Sequence, residues 1–178
     1  MKKRVLSLAL VLTLLLSTML IASPASVSAA NWQLVWSDEF NAGNGAAIDR
    51  GKWTPEIGNN GGWGNAELEY YTDRTANLYH ENGNLIIQAL KENYGGCEYT
   101  SARIKTSDTF TFTYGKVEMR AKLPYGQGIW PAFWMLGSNI GSVGWPTCGE
   151  IDIMELHGSD PSKIGGTIHY GAIWPWNV

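Results

Sequence analysis

Short segments of alternating polar and apolar residues constrain this chain most strongly, because they favour an all-β fold. Residues 116–123 carry charges at the even positions and apolar side chains at the odd ones, as in a strand with one buried face. Gly, Pro and Asn cluster between such segments and indicate turns. We predict further strands at residues 84–89, 99–106, 130–136, 150–156 and 166–170, no amphipathic helix after residue 30, and an antiparallel β-sandwich.

The first thirty residues have the composition of a secretory signal peptide. Basic residues at positions 2–4 precede an uncharged stretch over residues 5–21, and small residues then lead to Ala29 and Ala30. An uncleaved membrane anchor is the alternative, and it is disfavoured because no basic residues follow the apolar stretch. We expect cleavage after Ala29 or Ala30, a secreted, extracellular protein, and one mature domain over residues 31–178.

The composition of the mature chain favours carbohydrate as its partner. Without the three basic residues of the signal, 10 Lys and Arg remain against 16 Asp and Glu, a net charge of −6, which does not suit nucleic acid. The nine Trp and eight Tyr residues have rings that stack on sugar faces while their polar edges hydrogen-bond. We expect a monomer that has no membrane contact once the signal is cleaved.

Cys97 and Cys148 are the two cysteines of the chain. Export permits a disulfide, but free cysteines are also among the most buried residues. No spacing rule pairs the two, and neither lies in a metal-type cluster with histidine. A disulfide and two buried thiols therefore both stay open.

Three acidic residues, Glu150, Asp152 and Glu155, fall within one predicted strand. Strict alternation puts the first two on one face and the intervening isoleucines on the core face, together with Glu155. An ionised carboxylate in a core is very costly. A β-bulge near residues 153–154 would add one residue and return Glu155 to the polar face, so we predict a bulge there.

Three carboxylates on one face suit glycoside hydrolysis. Like charges this close raise at least one pKa and leave one group protonated near neutral pH, and an ionised nucleophile beside a protonated acid is what retaining hydrolysis needs. We assign Glu150 as nucleophile, Glu155 as general acid/base, and Asp152 as the group that tunes the nucleophile. A solvated outer face and a calcium site are the alternatives. Trp-rich neighbouring segments weaken the first, and the stiff Ile-rich strand weakens the second.

The run from Glu150 to Glu155 resembles the bulged signature of glycoside hydrolase family 16. Five further motifs are similar to the laminarinase (endo-1,3-β-glucanase) branch, and they cover essentially all of the mature chain in the expected order. They are LVWSDEF at 34–40, WGNAELEYYT at 63–72, YTSARI at 99–104, GIWPAFWML at 128–136 and WPTCG at 145–149.

This resemblance implies a concanavalin-like β-jelly roll, two curved antiparallel sheets with a cleft across the concave face. It also implies retaining hydrolysis of internal β-1,3 bonds in β-glucan, by the same three residues and without a catalytic cofactor. Core packing is the alternative for Trp130, Trp134 and Trp145. A loop anchor is the alternative for Trp63, and an exposed strand charge is the alternative for Arg103. Glu67 would orient neighbouring groups or face solvent. The substrate-binding residues implied are Trp63, Asn65, Arg103, Trp130, Trp134, Trp145 and His169.

Many members of this family carry a structural calcium away from the catalytic site. The resemblance maps its ligands to Glu39 and to the backbone carbonyl of Gly83. The family's closing strands have no counterpart here, so we expect a C-terminally truncated domain, an incomplete calcium site and exposed sheet edges. The apolar residues 173–178 favour the same interpretation, with a natural terminus docked into the sheet as the alternative.

Two other functions stay open. One is a lichenase-like preference for mixed β-1,3/1,4-glucan, although lichenases typically have the shorter, unbulged strand, so Met154 argues against a strict lichenase. The other is a non-catalytic β-glucan-binding protein, a class that has lost the glutamates present here. No basic cluster suits the sulfated galactans of related enzymes.

Overall fold

The computed structural model describes residues 31–171. The chain divides after Ser37 into two units, and every strand lies in the second, which begins at Asp38. The predicted signal peptide and the apolar residues 173–178 lie outside the described residues. No helix among residues 31–171 combines the length and the hydropathy that crossing a bilayer requires.

The described chain is built from ten strands and one helical turn. The helical turn, α1, spans Ile140–Val143 and buries no residue. The strands are β1 (Thr54–Glu56), β2 (Glu69–Tyr71), β3 (Leu78–Glu81), β4 (Asn84–Ile87), β5 (Leu90–Tyr94), β6 (Cys97–Ser101), β7 (Arg103–Lys105), β8 (Ala132–Leu136), β9 (Glu150–Glu155) and β10 (Gly165–His169).

Most of these strands pair antiparallel. The orders are β10-β9-β8, β2-β6-β5, β1-β7 and β3-β4. The pairing of β2 with β6 is parallel, which departs from the predicted all-antiparallel sandwich. Residues 72–96 separate these two strands, and a connection of this length lets the chain return in the same direction.

The β3–β4 hairpin shows how local sequence determines a turn. Asn82 and Gly83 occupy its two central positions with φ angles of 50° and 71°, and Glu81 pairs with Asn84 across the ladder. Two consecutive positive φ angles suit a two-residue turn whose twist matches that of the strands, and Asn-Gly is the sequence that favours it. This turn positions Gly83, the predicted calcium ligand, at the tip of a hairpin.

Most predicted strands are confirmed with shifted ends, but the prediction for residues 116–123 is wrong. The predicted strand at 99–106 is two strands, because Ala102 separates β6 from β7. Residues 116–123 form no ladder with any other described segment, and Met119 is 44 % exposed. Alternation specifies which side chains share a face, whereas a strand also needs a neighbouring strand for its backbone hydrogen bonds.

The described residues include an apolar core cluster in the amino-terminal half of the second unit. Ile48, Leu78 and Ala102 are buried there, with Trp53 and Ile104 packed against them. The core face predicted for the isoleucines of β9 is different: Ile151 is 44 % exposed and Ile153 is 36 % exposed. The alternation is confirmed, but burial of that face is not, because burial also requires a second layer over the strand.

Candidate active site

The predicted bulge is present in β9. Phe133 and Trp134 are consecutive on β8 but pair with Met154 and Asp152, so Ile153 has no partner in that ladder. The ladder with β10 shifts over the same residues, between Gly165 and Thr167. An extra residue on the middle strand bends it and resets which face the following side chain occupies.

The bulge brings all three acids to one face of the sheet. Glu150, Asp152 and Glu155 lie opposite alternate residues of β8, namely Leu136, Trp134 and Ala132. On the other side they lie opposite alternate residues of β10, namely His169, Thr167 and Gly165. Alternate residues of a regular strand share a face, so the register of both neighbours places Glu155 beside the other two acids.

Asp152 is the most enclosed of the three acids, with 5 % of its surface exposed. Its Oδ2 lies 3.4 Å from Nε2 of His169. Burial, followed by the charge of Glu150 and a hydrogen bond with it, raises the pKa of Asp152 to about 6, and the charge of His169 opposes this rise. The sequence predicted a raised pKa among these acids, and Asp152 is a carboxyl group that has one.

An indole N–H contacts each of the other two acids. Trp145 Nε1 donates to Oε2 of Glu150 at 2.7 Å, and Trp130 Nε1 donates to Oε1 of Glu155 at 3.1 Å. Histidine rings pack on both indoles: His169 lies against Trp145 with ring centroids 5.6 Å apart. His157 stacks on Trp130 at 5.7 Å and an interplanar angle of 19°.

Gly137 lets the segment that carries Trp145 lie close to β8. A Cβ on Gly137 would lie 2.0 Å from the carbonyl oxygen of Cys148, so only glycine fits this approach. The Gly137 N–H donates to the carbonyl of Gly149 at 3.1 Å. The backbone therefore delivers Trp145 and Glu150 together to the end of the sheet.

Arg103 is the centre of a second cluster. Its guanidinium lies over the rings of Trp63 and Trp134, at 4.7 Å and 4.8 Å from their centroids. Its Nε donates to Glu56, the residue directly opposite it in the β1–β7 ladder. Its Nη1 lies 3.9 Å from Glu67. Arg103 is half-buried and held from several sides, so it is not the exposed strand charge that was the alternative.

The loop between β1 and β2 supplies the rest of this cluster. Gly62 has φ +86° and a Cβ there would lie 3.0 Å from Ala66, so the tight turn requires glycine. The turn presents Trp63, whose Nε1 donates to the carbonyl of Gly58 at 3.1 Å. Asn65 is exposed and its Nδ2 donates to Oε1 of Glu67 at 3.3 Å.

Glu67 orients neighbouring groups, as one of its two predicted roles required. The Tyr71 hydroxyl oxygen lies 2.5 Å from Oε2 of Glu67 and 2.9 Å from Oε1 of Glu69, so its one proton is shared between these two carboxylates. Burial, and then these carboxylates, raise the pKa of Tyr71 strongly. Tyr71 and Glu56 are therefore parts of the site that sequence reasoning missed. The signal for Glu56 was its position on a strand beside Arg103, which only the ladder register reveals.

The predicted site residues thus form two groups. Trp134 joins them, because it packs on Arg103 and pairs with Asp152 in the β8–β9 ladder. The predicted calcium ligands are elsewhere: Glu39 is exposed, and Gly83 is at the hairpin turn. Among the described residues, the cluster of Asp, Glu, His or Cys groups with metal-type spacing is Glu150, Asp152 and His169, within 4.8 Å of one another. It does not include Glu39.

The two cysteines are not bonded to each other. Cys97 and Cys148 are both free and half-buried, and the Cys148 thiol donates to the carbonyl of Gly149 at 3.4 Å. Of the two alternatives that the sequence left open, the structure has the free thiols.

Comparisons with known proteins agree on one family. The model for glycosyl hydrolases family 16 matches residues 61–173. The chain is 45 % identical over 172 residues to the Beta-glucanase of Rhodothermus marinus, an alignment that covers 95 % of this chain and 59 % of that protein. Its structure is similar to the laminarinase catalytic domain of Thermotoga maritima MSB8, with 57 % identity and a TM-score of 0.71, over 79 % of this chain and 57 % of that one.

A third relative was crystallised with a β-glucan oligosaccharide at its active site. It is SCLam, described as a non-specific endo-beta-1,3(4)-glucanase of the same family, with 47 % identity and a TM-score of 0.74, over 80 % of this chain and 57 % of that one. The likeness to laminarinase catalytic domains confirms the predicted jelly-roll fold. The chain spans less than two thirds of the length of each of these three relatives.

Proposed function

The chain belongs to glycosyl hydrolases family 16, and from this we propose that it cleaves internal β-1,3-glucosidic bonds of laminarin-type β-glucan with retention of configuration. The observation that carries the proposal is the bulge at Ile153, which gathers Glu150, Asp152 and Glu155 on one face. The chain's relatives include a laminarinase and a Beta-glucanase.

In the proposed mechanism the two glutamates divide the chemistry. Glu150 attacks the anomeric carbon while Glu155 gives its proton to the glycosidic oxygen, so that the aglycone part of the glucan leaves as an alcohol. Glu155, now a carboxylate, removes a proton from water, and the resulting nucleophile displaces Glu150 from the glycosyl-enzyme. Two inversions at the same carbon give net retention.

Asp152 would control the charge of the nucleophile. Its pKa of about 6 means that it is largely protonated in mildly acidic solution and can then donate a hydrogen bond to Glu150. Such a hydrogen bond orients the attacking oxygen. It weakens during the attack, because Glu150 loses its negative charge as it bonds to the anomeric carbon. We therefore expect Asp152 to affect turnover more than substrate binding.

The second cluster would bind glucosyl units beside the cleavage point. The guanidinium of Arg103, which lies over the rings of Trp63 and Trp134, presents fixed donors for sugar hydroxyls. Asn65, exposed beside it, would add a further donor and acceptor. Trp130, Trp145 and His169, at the acid cluster, would contact the sugars that flank the scissile bond.

A preference for mixed β-1,3/1,4-glucan is the second candidate. It is favoured by the 47 % identity to SCLam, whose description includes both linkages. Sugar release from laminarin, lichenan and carboxymethylcellulose separates the candidates. We expect release from laminarin, with lichenan as the slower substrate or untouched. Faster release from lichenan would support the second candidate.

The Glu150→Gln variant tests the nucleophile and the alternative of a non-catalytic binding protein. We expect it to lose laminarin cleavage and to keep laminarin binding, because the amide has the shape of the carboxylate without its charge. Wild-type protein that binds laminarin and releases no sugar would support the binding protein instead. Unchanged cleavage by the variant would refute the assignment of Glu150.

We also propose export and a structural calcium. Export follows from residues 1–30, and amino-terminal sequencing of the secreted protein should begin at position 30 or 31. For calcium, the Glu39 carboxylate and the Gly83 carbonyl are oxygen ligands of the right kind but supply two of the six to eight that calcium takes. A rise in melting temperature with calcium that Glu39→Gln abolishes would support the site. An equal melting temperature in calcium and in chelator would contradict it.

A further inference from the structure

We propose that Trp145 and Trp130 are positioning residues that hold Glu150 and Glu155, respectively, through their indole N–H groups, as well as offering their rings to substrate. This inference rests on the proposed function and adds two roles to it. Both tryptophans lie in the site, and the family resemblance gives them only an aromatic contact with sugar.

The two contacts have the same type of donor, an indole N–H, and the same type of acceptor, a glutamate oxygen. Each proposed catalytic glutamate accepts one indole N–H, at 2.7 Å for Glu150 and 3.1 Å for Glu155. These distances are within the range of charge-assisted hydrogen bonds or close to it. An indole N–H is donor only, so it binds a carboxylate oxygen more strongly than the uncharged carbonyl oxygen of a protonated acid.

The rings remain available for a second task. Trp130 is 44 % exposed and Trp145 is 43 % exposed, so part of each side chain is in contact with solvent although its N–H edge contacts a carboxylate. Histidine rings pack on both indoles, His157 on Trp130 and His169 on Trp145. This packing limits the orientations of each indole, and a fixed donor holds its acceptor at low entropic cost.

The same pairing elsewhere in the chain shows its electrostatic effect. Trp53 Nε1 donates to Oδ2 of Asp38 at 2.9 Å. Burial raises the pKa of Asp38, but the hydrogen bonds of Trp53 and the Phe40 backbone, with the charge of Lys52, outweigh burial and lower it. An indole donor therefore favours the ionised form of a partly buried carboxyl group. Trp53 lies outside the site and provides a matched control.

Phenylalanine substitutions separate the N–H from the ring. Trp145→Phe should lower kcat for laminarin by about 10- to 100-fold, the size expected for loss of one hydrogen bond to a charged group, with little change in KM. Trp130→Phe should lower kcat by a similar factor with little change in KM, because it removes the indole donor of Glu155. Trp53→Phe should leave both kcat and KM unchanged.

Trp side-chain NMR tests the pairs without requiring activity. In protein labelled with ¹⁵N at the indoles, Glu150→Gln should shift the N–H signal of Trp145 and leave that of Trp130, and Glu155→Gln should do the reverse. The indole of Trp63, which donates to the Gly58 carbonyl, is the reference that neither variant should move.

The outcomes distinguish this inference from the proposed function. Unmoved indole signals, or Phe variants that change only KM, would overturn the positioning roles even if the wild-type chain cleaves laminarin. If the Gln variants shift the two indole signals as expected but the wild-type chain releases no sugar, the proposed function would be overturned and the hydrogen-bonded pairs would be supported.

Discussion

Trp134 contacts both the acid cluster on β9 and the Arg103 cluster, but the two clusters differ in how many oppositely charged side chains lie beside their charged groups. Among residues 31–171, the only basic group within ion-pair distance of Glu150, Asp152 and Glu155 is His169. Neutral indoles donate to Glu150 and Glu155. Arg103, by contrast, has two carboxylates beside it, those of Glu56 and Glu67.

This difference indicates that the acid cluster can exchange protons, whereas the Arg103 cluster has a fixed charge and a fixed position. Burial and the charge of Glu150 raise the pKa of Asp152 to about 6, so this carboxyl group exchanges its proton in mildly acidic solution. A compensated guanidinium keeps its charge at every accessible pH and is fixed by its partners. We therefore propose bond cleavage as the role of the first cluster and substrate orientation as the role of the second.

The largest expected effect breaks the acid cluster. Glu155→Ala should lower cleavage of laminarin by about a thousandfold or more, because the leaving oxygen then receives no proton. An aryl laminaribioside, whose leaving group needs no proton, should still form the glycosyl-enzyme. Azide should then restore turnover, since it attacks the anomeric carbon without a general base and displaces Glu150.

The anomer of the azide product distinguishes the two glutamates. Glu155→Ala should give the β-glycosyl azide after two displacements, and Glu150→Ala should give the α-glycosyl azide after one. The opposite assignment of anomers would exchange the roles of nucleophile and acid. No azide product from either variant would contradict the assignment of both.

The next effect concerns stability and the pKa of Asp152. Because folding raises this pKa from its ordinary value to about 6, the folded state holds a proton that the unfolded state releases. The free energy of unfolding should therefore fall between about pH 4 and pH 7, by about 3 kcal/mol at most. Asp152→Asn should remove this slope in denaturant titrations. Asp160→Asn, at a carboxyl group outside the site, should keep it, and an unchanged slope in Asp152→Asn would contradict the raised pKa.

A smaller effect tests the Arg103 cluster. Arg103→Lys keeps the charge but loses the planar group that lies over the rings of Trp63 and Trp134, so KM should rise by about tenfold with kcat nearly unchanged. Lys105→Met is the control. The Lys105 Nζ also lies near Glu56, at 3.5 Å, but the cation that lies over the rings of Trp63 and Trp134 is that of Arg103. A fall in kcat with constant KM in Arg103→Lys would assign this residue to the chemistry instead.

The smallest effect is at the edge of the same cluster. Asn65→Ala should raise KM by a few-fold, because an exposed hydrogen bond to a sugar contributes about 1 kcal/mol. Asn93→Ala, at an exposed position on β5, is the matched control and should leave KM unchanged. Equal values of KM for Asn65→Ala and the wild type would remove Asn65 from the binding site.

Much of the acid cluster could be predicted from the sequence, because its constraint is local. The spacing from Glu150 to Glu155 requires an odd insertion if both are to share a face, and the bulge at Ile153 follows from that alone. The hairpin at Asn82 and Gly83 is equally local. In both cases residues that are close in the sequence determine the local backbone structure.

The rest depended on contacts between distant segments. Residues 116–123 have a regular alternation, but alternation does not supply a pairing strand, so the predicted strand is absent. Glu56 and Arg103 are 47 positions apart, and only the β1–β7 register brings them together. The indole donors of Trp130 and Trp145 likewise depend on side-chain direction, which neither composition nor periodicity contains.

The stereochemistry of the first product tests the central claim most directly. Proton NMR of laminarin digestion should show the anomeric signal of the β-reducing end first, with the α-signal growing later at the rate of mutarotation. This order is required if Glu150 forms a covalent intermediate that water, activated by Glu155, then resolves. First appearance of the α-anomer would mean a single displacement by water, and it would contradict the nucleophilic role of Glu150.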